Sequence, residues 1–265
     1  MKELIILLAV LALLTSNLAC RTLLPETSDS DEAQSRQYEA VCQESVSGVR
    51  ALRENLEFPQ HFLKPHPSKQ GGEFDPNAYF DVLTRLKMQD GWTLDYVYYQ
   101  DGFGGLPMLY ARPLDQPPYP TDIEYYAANP PNFLASVVVE DSPEGYLQFA
   151  FLSLTADQFY LHWHARSKDW QLLCGASDIE RVINEHQGQN YDKEMTPAQI
   201  AKARAIEHPA PEIELRADRA ILRLLIFSNW KGFVRRTYTI SRAFPHEILD
   251  AKDQTLVEYN WGIIY

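Results

Sequence analysis

Three cysteines constrain this chain more than any other feature, because each stands in a different context. Cys20 follows the only long apolar run, residues 4–14, with five residues between them, and the run itself follows Met1, Lys2 and Glu3. Cys42 and Cys174 lie downstream, far apart. The run falls short of the roughly 20 residues that a membrane-spanning helix needs, and its place behind a charged start is the layout of an export signal. Exported chains meet oxidising surroundings, where disulfides persist. The odd count then resolves as one modified cysteine plus a pair, and a Cys42–Cys174 bond would tie the start of the fold to its middle. Closing a loop of more than about 100 residues contributes roughly 4–5 kcal/mol in the chain-entropy model. The alternative is two buried thiols that pack as small hydrophobes.

Ala19 directly before Cys20 resembles the lipobox of bacterial lipoproteins, whose cysteine is acylated and becomes the mature N-terminus. The resemblance implies a signal peptide over 1–19, lipidation of Cys20, and a mature protein held to a membrane of the bacterial cell envelope by lipid. Asn17 stands where a lipobox usually has leucine, and Leu18 comes one step late. An ordinary secretory signal cut near Ala19 is the alternative, giving a soluble secreted or periplasmic protein. Both readings export the chain. Residues 20–36 are rich in Thr, Ser, Asp, Glu and Gln, as a flexible tether would be, and 37–265 reads as a single α+β domain.

A formal net charge of −12 argues against binding nucleic acid or anionic lipid through bulk electrostatics. An apolar content of 45% with 12% aromatics supplies a substantial core, so the chain after the tether folds. Lys202 to Arg242 hold nine basic against four acidic residues, read as solvated strand faces.

Helical spacing of Tyr38, Cys42, Val46, Val49, Leu52 and Leu56 predicts a helix over 34–56 with Cys42 on its apolar side. Proline and glycine make 57–73 a loop. Asp75 and Pro76 open a second helix that Gly91 ends. The period then turns strand-like: 92–100 and 107–112 form a hairpin around the glycines of 101–105, and the six prolines of 113–133 read as an irregular arm. Residues 136–140, 146–155, 159–166 and 170–174 read as a four-strand antiparallel meander. Helices over 178–185 and 197–205 follow, then strands over 212–215, 220–228 and 233–241, with a last pair around Ile248 and 256–259. The fold class is α+β: a predominantly antiparallel sheet, open to strong curvature or barrel closure, with N-terminal and mid-chain helices packed on it.

One stretch approaches chemistry. On a strand, Tyr160, His162, His164 and Arg166 share a face, with Leu161, Trp163 and Ala165 opposite. Two imidazoles so spaced can share a metal, although a catalytic zinc needs a third ligand, and no metal or other cofactor is assigned. The spacing is similar to a histidine strand of α-carbonic anhydrases over a handful of residues only, since Trp163 lies between the histidines and no later strand supplies a third. The plain reading is a partly covered sheet face; the functional one is a ligand-binding wall. No Gly-x-Ser-x-Gly, His-Glu-x-x-His, P-loop or dinucleotide fingerprint occurs. The expectation is therefore a non-catalytic binding or scaffolding protein. The alternatives are an envelope hydrolase or metal-dependent enzyme centred on His162 and His164, and a carrier of an apolar ligand, which needs a closed barrel.

Overall fold

The computed structural model describes residues 29–188 and 193–262. Cys20, the signal segment and residues 20–28 of the expected tether lie outside them. Contacts divide the chain into Met1–Gln34 and Ser35–Tyr265; of the former only 29–34 are described, as helix. The first helix, α1 (Asp29–Arg53), starts earlier than its apolar spacing predicts, so residues 29–36, expected in the tether, are helical.

The fold is α+β with antiparallel sheets. Its largest sheet holds β6 (Gln171–Leu173), β7 (Glu212–Leu215), β8 (Arg219–Ser228), β9 (Gly232–Ser241) and β10 (Ile248–Val257), in the order β10-β9-β8. Both β6 and β7 pair with β8, β7 along 220–223 and β6 along 225–227. Side chains alternate across a strand, and both faces of this sheet are apolar. Leu222, Leu224 and Ile226 join one cluster with Cys42 and Val49 of α1 and with helix α4 (Pro143–Thr155). Leu225 and Phe227 join another with Ile179, Val182 and Ile183 of α5 (Ala176–Glu185) and Ala203 of α6 (Pro197–Arg204). Burial on both faces explains why β8 reads as a near-continuous apolar run. The expected last pair of strands is one strand, β10.

A three-stranded sheet joins β2 (Trp92–Gln100), β3 (Gly104–Pro113) and β5 (His162–Trp163), and a two-stranded one joins β1 (Leu86–Met88) to β4 (Val137–Val139). The strands of the described residues therefore lie in three separate sheets, not in a closed barrel. The hairpin at 101–105 forms as its sequence predicts.

Residues 146–155 are the main correction, for they form α4 and not a strand of a meander. Ser142 caps the helix by accepting the Gly145 N–H at 3.1 Å, and Pro143 fills the first turn. Nearly every residue of α4 is buried. A helix covered all round loses the 3.6-residue period, and a short apolar run then reads equally well as a buried strand. Two loops also hold structure. In 57–73 a 3₁₀ turn (Gln60–Leu63) drives Phe62 into the core, stacked on Tyr98 with ring centroids 4.3 Å apart. In 113–133 Thr121 and Glu124 build a capping box on α3 (Asp122–Ala128), counting the short α2 (Tyr79–Val82) before it. The helix that Asp75 opens stops at Val82, because Leu86–Met88 pairs with Val137–Val139 as strand.

Cys42 and Cys174 are joined, with Cα atoms 5.6 Å apart and both side chains buried. The bond pins α1 to the end of β6, on the face that Leu172 shares. No helix among the described residues is long and apolar enough to cross a membrane.

Candidate functional site

The stretch 160–166 is not one strand. Tyr160 and Trp163 take left-handed backbone angles, φ 50° and 46°, so strand pairing is confined to His162 and Trp163, and 3₁₀ geometry runs from His164 to Ser167. The shared face therefore breaks up. The Tyr160 hydroxyl is buried and accepts the Phe74 N–H at 3.0 Å. His162 is half-buried with its ring 5.4 Å from Phe58. The ring of His164 lies 6.3 Å from Phe103 and 5.2 Å from Trp163, and Arg166 is exposed on the 3₁₀ turn. Phe151, within the stretch 146–155 read as a strand of the meander, sits on α4. Among the described residues no group of three or more His, Cys, Asp or Glu is placed to hold a metal ion. A positive φ at a bulky residue such as Trp163 costs about 1–3 kcal/mol and persists only where the surroundings enforce it.

The glycines of the hairpin explain how β5 approaches. A Cβ on Gly104 would stand 3.1 Å from the Ala165 nitrogen, and one on Gly105 would stand 2.3 Å from Gln100 Oε1 and 2.5 Å from Tyr98 Oη. Close packing, not a phosphate cradle, requires them.

A better-formed concavity lies beside the disulfide. It is a groove of about 510 Å³ with an apolar floor of Val46 and Val49 from α1, Phe151 from α4, and Leu172. Arg50, Arg53 and Arg181 stand along it with Glu54 and Glu185, and Trp170 forms one wall. Arg53 donates from Nε and Nη2 to Tyr79 Oη at 3.0 and 2.7 Å, and from Nη2 to the Thr155 carbonyl. Burial pushes the Tyr79 phenol up to about 12, although Arg53 draws it down. Arg181 donates to Gln171 Oε1 at 3.1 Å and to Glu185 at 3.0 Å. Arg50 is exposed on the rim. The Arg236 guanidinium lies 4.8 Å and Lys231 Nζ 5.3 Å from the Trp170 ring, so cations also back that wall.

Apolar floor, fixed guanidinium and indole wall together suit a ligand with an apolar body and an anionic end. The lining contains no His, Cys or Ser, and its one hydroxyl, on Thr155, donates to the Phe151 carbonyl at 2.9 Å. Two carboxylates, Glu54 and Glu185, also line the space, and Arg181 donates to Glu185. The groove gathers segments far apart in sequence, so no motif announces it. The available signal was Arg50 and Arg53 continuing the helix that carries Cys42. Four of the basic residues of 202–242 are instead held in ion pairs away from the groove, Arg204–Glu180, Arg216–Glu214, Arg219–Asp218 and Arg223–Glu212.

Comparison with protein-family models, with curated proteins and with solved structures finds no match.

Proposed function

We propose that this is an exported protein of the bacterial cell envelope, anchored by lipid at Cys20, that binds without transforming it a small ligand with an apolar body and an anionic end. One observation carries the binding role: the groove joins an apolar floor to an arginine rim. The Cys42–Cys174 bond supports export, since such bonds persist in oxidising compartments.

Titration with dansylated undecanoic acid tests the groove. Saturable binding is expected, weakened at least ten-fold by Arg50→Glu and at least ten-fold when the probe's methyl ester replaces the acid. Binding that ignores both changes would refute the assignment, and an unaltered thermal midpoint of the variant shows that its fold is kept. The anchor has its own measurement. Cells fed an alkyne-tagged palmitate should label the wild type in the membrane fraction, and Cys20→Ala should lose label and membrane association together. A labelled Cys20→Ala protein would place the lipid elsewhere.

A further inference from the structure

We propose that the exposed run of aromatic rings at the hairpin end of the three-stranded sheet, Tyr126, Tyr99, Phe103, His164 and Trp163 gathered around Asp101, is a binding surface for an oligosaccharide chain. This surface shares no residue with the arginine groove.

The rings fall in two groups that meet at Asp101. Tyr126 and Tyr99 lie 6.2 Å apart, the Tyr99 hydroxyl meets Asp101 Oδ2 at 3.4 Å, and Phe103, His164 and Trp163 follow at 6.3 and 5.2 Å. Three of them are open to solvent, Phe103 at 68%, Tyr126 at 54% and Trp163 at 51%. A single exposed aromatic is ordinary; two groups of rings flanking one carboxylate are not. Their backbone is also fixed. Asp101 Oδ1 accepts the N–H groups of Phe103 and Gly104 at 2.8 and 2.9 Å, and the Phe103 carbonyl accepts the His164 N–H at 3.2 Å. Trp163 is held opposite Gly104 in a left-handed conformation that aromatic residues avoid. Rings positioned in advance lose little freedom on binding.

The polar groups between the rings decide the occupant. The Asp101 carboxylate sits at the tip itself, and the Phe103 and Gly104 N–H groups hold it below the usual carboxylate range, so it stays charged. Arg166 is exposed on the turn that follows His164. An acyl layer or an apolar protein face closing over Phe103 would strip water from that carboxylate at high cost. A sugar chain avoids this conflict. Each pyranose ring offers a C–H face to an aromatic ring, while its hydroxyls donate to a carboxylate and accept from a guanidinium.

The mature protein, titrated separately with chitotetraose, cellotetraose, maltotetraose and mannotetraose by isothermal titration calorimetry, is expected to bind at least one saturably. Phe103→Ala combined with Trp163→Ala should weaken that binding at least ten-fold, Phe103→Tyr with Trp163→Phe should retain it, and Arg50→Glu in the groove should leave it unchanged. Circular dichroism melts of each variant confirm folding. Three results would overturn the proposal: no binding of any of the four sugars, sugar binding that survives the double alanine variant, or binding to phosphatidylethanolamine–phosphatidylglycerol vesicles alone that the double variant abolishes.

Discussion

Above pH 10 the protein is expected to unfold in one steep step, with tyrosine ionisation and loss of secondary structure rising together. Tyr79, Tyr96, Tyr98, Tyr110 and Tyr146 are fully buried, and burial is the leading cause that raises each phenol. Tyr79 and Tyr146 reach about 12, and the other three go higher. A phenol in the unfolded chain ionises near 10. A folded value above the unfolded one means that stability is fully present below pH 10 and is lost as pH rises towards the folded value. Over that interval each buried phenol lowers stability by about 1.4 kcal/mol per pH unit, so five acting together remove about 7 kcal/mol per unit. That slope rivals the whole stability of an ordinary domain, about 5–15 kcal/mol. Tyrosinate absorbance and far-ultraviolet circular dichroism recorded on one sample provide the check. Phenols titrating near 10 with the dichroism intact would show that they are not buried. Tyr96→Phe sharpens the experiment, because the Tyr96 hydroxyl has no hydrogen-bond partner among the described residues. Its removal should shift the alkaline midpoint upward and cost nothing at neutral pH.

Breaking the disulfide should have an effect of similar size. The cysteines are 132 residues apart, and a loop of that length contributes roughly 5 kcal/mol by restricting the unfolded chain. Cys42→Ala with Cys174→Ala removes the bond while keeping small apolar side chains in the core, and a urea titration should report most of that loss. A double variant within about 1 kcal/mol of wild type would mean that the pairing contributes little. The groove should also respond. Val46 and Val49 lie one and two turns beyond Cys42 on α1, and Leu172 is two residues before Cys174, so the bond sets the spacing of the α1 and β6 parts of the floor. Weaker binding of dansylated undecanoate by the double variant, below its unfolding midpoint, is the expected companion.

The sequence made some of this legible for physical reasons that can be named. Gly-rich turns and strands of alternating or β-branched residues announced the hairpin and β7 to β9, and the apolar stripe through Cys42 announced α1. It concealed α4, whose complete burial erases the helical period and leaves Ser142-Pro143 as the only helical sign. It concealed Phe62, since a 3₁₀ turn among prolines carries no periodic pattern. Residues 160–166 misled most. Their alternation describes a strand, yet backbone reversals at Tyr160 and Trp163, which side-chain pattern does not encode, scatter the four residues it would have aligned. Cys42 and Cys174 were legible because cysteine pairing is a matter of counting and compartment. The groove was hidden because it joins four separated segments.

The order in which the chain is made gives the disulfide a temporal consequence. In the exported protein proposed above, with export coupled to synthesis, Cys42 reaches the oxidising side of the membrane 132 residues ahead of its partner, which at about 5–20 residues per second is a delay on the order of 10 s. During that delay α1 can form, but Cys42 has no correct partner, and the only thiol nearby in the chain is that of Cys20. Acylation of Cys20 would remove this competitor before β6 exists. In the lipid-anchored protein proposed above, acylation and disulfide pairing would follow one another in that order.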